Sequence, residues 1–396
     1  MVNKRNKILI LGAGRQQIPL ISTAIKMQLE VHVCSILGDY PGIEIAPYFH
    51  EVDISDSKAV LELAKSIEIQ GIITTGTDVC LESIGLVIDR LNLPGTCLES
   101  SKSCLNKTLM KARFSRFNVP TANYALIDSV ESGTEFFNSQ TSACVIKPAD
   151  SSGSRGVNRI EMGTEIHAAL VDARKYSASG EIIIEEWLEG EEFGAQAIII
   201  DGKLEKLMLH SDITTPPPRR IPIGHGCPHP AESELMPMVW SIVEHAVSAL
   251  GIDNTISNID FILTEDGPKI IEMTSRMGGT HLPEVCGTFW GIDMYETALQ
   301  IALGIQPVLP KSPFGVPNAI QNLIFDQPGK VAKLGDTDQE FVWNLYFGIG
   351  DYVVLNAAKQ AELGYVQDTT SDVGSLLQRV TNAAEAFCKT TEYEVD

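Results

Sequence analysis

The sequence has no hydrophobic run long enough to span a membrane, and it is poor in positive charge. No apolar stretch approaches the roughly 20 residues that a transmembrane helix needs. Lysine and arginine number 30 against 51 aspartates and glutamates, which gives a net charge of −21. This balance argues against nucleic acid or an anionic membrane as the main partner. An anionic small-molecule substrate would have to be met by a few locally placed basic side chains.

Paired cysteine motifs are also missing. The eight cysteines are scattered, and none forms a C-x-x-C pair. Met1–Gly14 places basic residues before an apolar run, as a signal peptide does, but the run Ile8–Leu11 is short and leads into a glycine-rich turn. We therefore expect a first β-strand there, and a cytoplasmic protein with reduced thiols.

Residues 1–95 alternate between strand and helix patterns, which predicts a small parallel sheet with crossover helices. Gly12-Ala13-Gly14 follows the first strand, but an NAD fingerprint needs a third glycine where Gln17 stands. A tight turn approached by a ligand or a neighbour is favoured over a dinucleotide site. The loop 74–78 follows another strand, and it is interpreted either as a ligand loop or as a plain turn in which Asp78 caps the next helix.

Residues 258–281 contain two apolar runs around Glu265-Asp266-Gly267, a hairpin signal. Asp260 and Glu272 would then lie opposite each other, and two adjacent carboxylates need a cation between them. Hard oxygen ligands suit Mg²⁺ carrying phosphate. The alternative is a surface hairpin with two solvated acids.

Residues 144–157 combine a strand ending in Lys147 with a loop of small residues. Such a loop offers several backbone N–H groups to one anion, although a flexible hairpin tip has the same composition. It is not a Walker loop, because the lysine precedes the glycines. A helix around Ser101–Phe117 carries Lys107 upstream, and an acidic segment, Glu185–Glu192, follows the next predicted strand.

Together these features resemble the ATP-grasp superfamily over roughly residues 1–310. The most specific matches are Val145-Ile146-Lys147-Pro148 with its loop, the segment Glu185–Glu192, and Asp260 followed by Glu272-Met273-Thr274-Ser275-Arg276. The likeness is nearest to biotin carboxylase, carbamoyl-phosphate synthetase and the L-amino acid ligases. It implies an α/β (α+β) protein with a Rossmann-like domain at 1–98, a lid subdomain at 99–186, a large subdomain at 187–310 and a β-rich subdomain at 311–396.

The resemblance implies a binding function for each matching position. The phosphates of ATP would be contacted by Lys107, Lys147 and a lid loop containing Ser151, Ser152, Gly153, Ser154 and Gly156. The base and ribose would be held by Glu185, with Glu186 beside it, by the backbone at Trp187 and Leu188, and by Glu192. Mg²⁺, or Mn²⁺, would be bound by Asp260, Glu272 and Thr274. Arg276 would meet the substrate carboxylate or the acyl phosphate. Thr274 stands where relatives have asparagine, and Asp260 where many have glutamate.

Three further features are candidates for substrate binding. Proline and glycine predict a long stiffened loop over 209–230. This loop is interpreted either as a substrate loop, in which Arg219 or Arg220 would bind a carboxylate, or as a solvated connector. In the same loop, the spacing His225-x-Cys227-x-His229 fits no common zinc site. Gly278 and Gly279 would let the backbone approach substrate, and His281 is either a catalytic base or a structural hydrogen-bonding residue.

The sequence thus predicts an ATP- and Mg²⁺-dependent carboxylate–amine ligase that forms an amide through an acyl phosphate, with small-molecule substrates and a possible homodimer. Three alternatives are a bicarbonate-activating enzyme, an ATP-binding regulator that has lost catalysis, and an NAD-dependent oxidoreductase.

Overall fold

The computed structural model describes residues 6–151, 153–216, 221–355 and 360–395. These residues form two compact units. Unit 1 is drawn from Met1–Leu207, Ser233–Gly279 and Met294–Val308, and unit 2 from Met208–Glu232, Thr280–Asp293 and Leu309–Asp396. Within the described ranges, no helix is both long enough and apolar enough to cross a membrane.

Unit 1 begins with a four-stranded parallel sheet of order β3-β2-β1-β4. Its strands are β1 (Lys7–Leu11), β2 (Glu30–Ser35), β3 (Tyr48–Glu51) and β4 (Gly71–Ile73). The helices between and after them are α1 (Ile18–Lys26), α2 (Pro41–Ile45), α3 (Ser57–Ile67) and α4 (Leu81–Leu91), with a short 3₁₀ turn at Arg15–Gln17. The continuous apolar run of β1 is buried at Ile8–Leu11, as expected for a parallel strand covered on both faces. The predicted alternation of strand and helix is confirmed.

Two helices lead into a second, antiparallel sheet of unit 1, with strand order β5-β8-β6-β7. The helices are α5 (Leu98–Leu105) and α6 (Lys107–Arg116). The strands are β5 (Tyr124–Ile127), β6 (Cys144–Pro148), β7 (Asn158–Ile160) and β8 (Ile182–Glu186). The helices α7 (Val130–Ser139) and α8 (Ile166–Arg174) accompany them, with a 3₁₀ turn at Gly163–Glu165. Ile146, Ile184 and Leu170 belong to the apolar core that joins this sheet to its helices.

The third sheet of unit 1 contains the hairpin of β12 (Thr255–Thr264) and β13 (Gly267–Thr274), with β9 (Glu191–Ile200) on the other side of β12. Phe193 and Phe261 pair across β9 and β12, and their rings stack at 5.0 Å. The helix α9 (Glu232–Leu250) precedes β12, and α11 (Met294–Ala302) packs against α1 and β4.

Unit 2 holds an antiparallel sheet and a small second sheet. The first contains the distal part of β10 (Lys203–Thr214), β11 (Pro222–Cys227), β14 (Asn318–Phe325), β16 (Val342–Leu345) and β18 (Ala361–Thr369). The second contains β15 (Gly329–Lys333), β17 (Tyr352–Val353) and β19 (Glu392–Glu394). The helices are α10 (Leu282–Trp290) and α12 (Val373–Thr390). Phe387 of α12 is fully buried in the core of this unit.

Two predictions about local structure are wrong. The stretch 209–230 is not a long loop, because β10 and β11 occupy most of it and pair from Ser211 opposite Gly226. The predicted single helix Ser101–Phe117 is divided at Asn106. The backbone of Asn106 is extended, and its side chain caps α6. The division of the chain at 98, 186 and 310 stays a prediction.

Candidate active site

The hairpin β12–β13 places the two predicted metal-binding carboxylates directly opposite each other. Asp260 pairs with Glu272 in the antiparallel register, as predicted. The register holds because Ile259, Phe261 and Met273 are fully buried on either side of the pair. Directly opposed residues lie on the same face of a sheet, so the two side chains can share one ion. Both residues remain half-buried.

Lys107 joins this hairpin to the loop after β6. Its ammonium lies 2.9 Å from Glu272 Oε2 and donates a hydrogen bond of 2.8 Å to the Ser151 carbonyl. The position follows from the start of α6, where Asn106 Oδ1 accepts from the Leu109 N–H. Burial disfavours the charged form of Lys107, but the carboxylates of Glu272, Glu185 and Asp78 outweigh it and raise the pKa of this lysine.

A second cluster of charges forms around Glu185 on β8. Lys147 Nζ lies 2.9 Å from Glu185 Oε1, and Lys111 Nζ lies 3.1 Å from Glu185 Oε2. Burial favours a neutral carboxyl, yet the two lysines hold the pKa of Glu185 below its ordinary value. Burial lowers the pKa of Lys111 to about 8, in spite of its pairing with Glu185. The predicted phosphate ligand Lys147 and the predicted adenine ligand Glu185 therefore bind each other here.

Arg276 is held by Asp78, from the loop after β4. Arg276 Nη2 lies 2.7 Å from Asp78 Oδ2, and Thr274 donates its hydroxyl to Asp78 Oδ1 at 2.8 Å. Burial acts to raise the pKa of Asp78, but the charge and hydrogen bonds of Arg276 and Thr274 lower it below its usual range. The carboxylate of Asp78 thus binds Arg276 and Thr274 rather than capping α4, whose N-cap is Cys80. The predicted metal ligand Thr274 directs its hydroxyl to Asp78.

Gly278 and Gly279 lie where the backbone passes close to the N-terminal sheet. The Gly278 N–H donates to Oε1 of the buried Gln196 at 2.9 Å. A Cβ at Gly279 would lie 2.5 Å from Gln16 Oε1. The predicted contact of Gly278 and Gly279 with substrate stays a prediction.

The predicted nucleotide-binding segment begins at the end of β8. The backbone N–H of Trp187 donates to the Ala143 carbonyl, and the Arg159 guanidinium lies over the Trp187 indole ring, 4.6 Å from its centroid. Glu186 binds Asn123 and lies 3.4 Å from Lys269. Glu192 stands opposite Ile262 in the β9–β12 ladder, and Leu188 lies in the connection between β8 and β9. The backbone N–H of Trp187 therefore already donates a hydrogen bond within the protein.

The small-residue loop connects β6 to β7, as predicted for a turn between two strands. Ser151 Oγ is buried and has no hydrogen-bond partner among the residues that the structure describes. Gly153, Ser154 and Gly156 all have positive φ angles, between 56° and 71°. Ser152 lies outside the described residues. An unpaired buried hydroxyl next to the Lys107 ammonium is consistent with a loop that binds an anion.

Residues 105–281 match the family model of the phosphoribosylglycinamide synthetase ATP-grasp (A) domain. The chain carries an ATP-grasp domain. The matched range contains Lys107, Lys147, Glu185, Asp260 and Glu272. The recognition that rested on the order of these motifs is thereby confirmed.

A curated relative of the ATP-grasp domain is phosphoribosylamine–glycine ligase of Lactococcus lactis. It is 29% identical over 254 residues, which cover 60% of this chain and 58% of the relative. The chain thus spans under two thirds of the length of this ligase.

Solved structures with the same fold cover nearly the whole chain. Phosphoribosylglycinamide synthetase from Anaerococcus prevotii has a TM-score of 0.80 at 22% identity and covers 99% of this chain and 100% of its own. The L-amino acid ligase from Bacillus licheniformis has a TM-score of 0.79 at 17% identity and covers 100% of both. The predicted α/β class, with an ATP-grasp core, is confirmed.

Two residues that contact the predicted site residues were missed as site residues. Lys111 follows Lys107 by four residues on α6, and this spacing places both ammonium groups on one helical face. That signal was available in the sequence. Asp78 was noted only as a possible cap, and nothing local to its loop predicts a partner 198 residues away.

The other predicted substrate residues belong to unit 2. Arg219 and Arg220 lie outside the described residues. His281 Nε2 lies 3.3 Å from the Tyr346 hydroxyl, and its ring packs on Tyr365 at 4.3 Å. Burial is the main cause that lowers the pKa of His281 to about 4, so the imidazole is neutral at pH 7. These contacts are those of a structural hydrogen-bonding residue.

Proposed function

We propose that this protein is an ATP- and Mg²⁺-dependent carboxylate–amine ligase that forms an amide or peptide bond. A substrate carboxylate oxygen attacks the γ-phosphorus of ATP, and the bond to the β-phosphate oxygen breaks to release ADP. The amine nitrogen then attacks the acyl carbon, the bond to the phosphate oxygen breaks, and the amine proton passes to solvent. An amino acid as one substrate is supported by the names of two relatives, a glycine ligase and an L-amino acid ligase.

The observation that carries the proposal is the pairing of Asp260 with Glu272 beside the Lys107 ammonium. Phosphoryl transfer requires little covalent help from the protein, and it depends on positioning and on neutralisation of the phosphate charge. Lys107 and Lys147 would neutralise the phosphates, and Arg276 would meet the substrate carboxylate or the acyl phosphate.

The residues present fit a hard divalent cation. Asp260 and Glu272 offer carboxylate oxygens from one face of a hairpin, and Mg²⁺ is commonly bound by one or two carboxylates together with substrate phosphates. When bound, the ion would neutralise the phosphates and orient them for transfer. Asp260 and Glu272 would hold it.

The remaining residues would position substrate and exclude water. Lys107 and Lys147 would exchange their carboxylate partners for phosphate oxygens, and the buried Ser151 hydroxyl would donate to the same anion. The loop 151–156 would cover the phosphates, because an acyl phosphate must be protected from hydrolysis. Arg276, fixed by Asp78, would bind the carboxylate.

Phosphate release from ATP, measured with amino acids supplied in pairs, tests this function. We expect release that depends on Mg²⁺ and on two substrates, with an amide product visible by mass spectrometry. Glu272→Gln should lower ADP formation at least about 100-fold, because a bound metal ion lowers the activation free energy by several kcal/mol.

Glu265→Gln, at the exposed turn of the same hairpin, is the matched control and should retain activity. ADP formation by Glu272→Gln at the wild-type rate would refute the metal assignment. ATP cleavage that needs bicarbonate and no amino acid would replace the proposal by bicarbonate activation. ATP binding without turnover over the whole panel would indicate a regulator.

A further inference from the structure

Three side chains that the proposed ligase mechanism does not use converge in unit 2. They are His210 and Asp212 on β10 and His225 on β11. Asp212 is paired with His225 across the two strands, and His210 lies two residues before Asp212, so that all three point to one face. Asp212 Oδ1 lies 2.9 Å from His210 Nδ1 and 2.6 Å from His225 Nδ1.

The cluster is shielded from water. The side chains of His210 and His225 are 1% and 4% exposed, and that of Asp212 is 12% exposed. One ligand atom from each residue lies within 4.8 Å of the others. His210 Nε2 is buried and has no hydrogen-bond partner among the described residues. A buried polar atom that lacks a hydrogen-bond partner among the residues described, as His210 Nε2 does, is expensive to maintain for stability alone.

We infer that His210, Asp212 and His225 form a binding site for a divalent transition-metal ion of the Zn²⁺ class. Two imidazole nitrogens and one carboxylate oxygen are typical zinc ligands, and three protein ligands leave a fourth position open. The nitrogen ligands distinguish this site from the all-oxygen pair of Asp260 and Glu272, which suits Mg²⁺.

The distances permit binding with a small adjustment. Zinc bonds of about 2.0–2.2 Å in a tetrahedron separate neighbouring ligand atoms by about 3.3–3.6 Å. The two nitrogen–oxygen distances of 2.9 and 2.6 Å would therefore widen by under about 1 Å. Burial is the main cause that lowers the pKa of His210, which favours the neutral imidazole that binds metals.

The site differs from the His225-x-Cys227-x-His229 spacing, which fits no common zinc site. Of His225-x-Cys227-x-His229, only His225 belongs to the three-residue cluster. The Cys227 thiol donates to the Leu209 carbonyl instead, at 3.5 Å. The other two ligands come from the preceding strand, where alternate positions of β10 supply a histidine and an aspartate.

Cobalt titration of the full chain tests the inference. Protein stripped with a chelator is titrated with Co²⁺ in excess Mg²⁺, which saturates all-oxygen sites. We expect one bound equivalent, with the strong visible absorption of four-coordinate Co²⁺, and displacement by Zn²⁺. Asp212→Asn and His225→Gln should each weaken binding more than about tenfold, since each removes a ligand. His245→Gln, an exposed histidine on α9, is the control and should bind as wild type does.

The outcomes separate this site from the proposed ATP site. Glu272→Gln should retain the cobalt spectrum whether or not it retains ATP cleavage. X-ray absorption of the zinc-loaded wild type should show two imidazole ligands, a measurement that needs no variant to fold. Absence of Co²⁺ and Zn²⁺ binding by wild type, or unchanged binding by both ligand variants, would overturn the inference.

Discussion

Glu185 is bound by two lysines from different elements, and burial determines the charge state of one of them, Lys111. Lys111 is almost fully buried, at 1% exposure of its side chain, and it also donates to the Thr121 hydroxyl at 2.7 Å. The lysine is therefore held in a region where burial lowers its pKa to about 8. In the unfolded chain its pKa lies near 10.4.

This difference predicts a pH dependence of stability. Between pH 8 and about 10.4 the unfolded chain binds one more proton at Lys111 than the folded chain, so stability gains up to about 1.4 kcal/mol per pH unit from this group as pH rises. Lys111→Met should lose that contribution. Urea unfolding of both proteins at several alkaline pH values measures the slopes. Lys26→Met, at an exposed lysine, is the control. Equal slopes for wild type and Lys111→Met would contradict the low pKa.

The pair of Asp78 and Arg276 gives a second prediction at this scale. The two side chains are 18% and 12% exposed, and Thr274 shares the carboxylate. Removal of one partner leaves a charge that is largely buried, so Asp78→Asn should cost about 3 kcal/mol of unfolding free energy. The double variant with Arg276→Gln should cost less than the sum of the two single variants.

Glu62→Gln is the matched control, because its partner Lys65 is 48% exposed and Glu62 is 71% exposed. This surface pair should contribute under about 1 kcal/mol. If Asp78→Asn is no more destabilising than Glu62→Gln, the buried pair does not hold the loop after β4. Urea unfolding followed by tryptophan fluorescence measures the four variants and the wild type.

At the level of secondary-structure elements, turn residues and apolar runs predicted the elements that depend on local sequence. The β12–β13 hairpin followed from Asp266-Gly267 and the flanking apolar runs, and its turn lies where expected, with Thr264 opposite Gly267. The strands β10 and β11 did not follow. Pro216 and Pro222 suggested a loop, but Pro222 stands at the first residue of β11, a position that tolerates the missing N–H. The apolar run Leu207–Leu209 lies within β10, which extends to Thr214.

Asn106 divides α5 from α6 and yields a prediction about this element. Its side chain accepts from the Leu109 N–H and donates to Glu181 Oε2 at 2.8 Å. Asn106→Ala should destabilise the protein by about 1–2 kcal/mol through loss of the cap. It should also weaken ATP binding, since the cap sets the position of Lys107. Asn106→Ser retains a capping hydroxyl and should recover most of both losses, as measured by urea unfolding and by nucleotide titration. A Ser variant as impaired as Ala would show that the Glu181 contact dominates.

At the level of the whole molecule, composition predicted a locally positive site in an acidic chain. The cations of unit 1 that gather there are each paired with an acid: Lys107 with Glu272, Lys147 and Lys111 with Glu185, and Arg276 with Asp78. Which acid meets which base could not be predicted, because partners such as Lys107 and Glu272 come from distant parts of the chain. The composition of unit 2 could not be predicted either, because this unit is drawn from three separate segments of the chain. The four-domain division and the homodimer stay predictions.

The contact between Lys107 and Glu272 has a consequence for how a metal ion enters. The Lys107 ammonium already neutralises the carboxylate of Glu272. The hairpin therefore folds without two uncompensated carboxylates facing each other. An incoming cation would then exchange with this ammonium group, and the displaced lysine would become available to the terminal oxygens of the proposed nucleotide. Loading of the ion and recruitment of the lysine would by this route be a single coupled event.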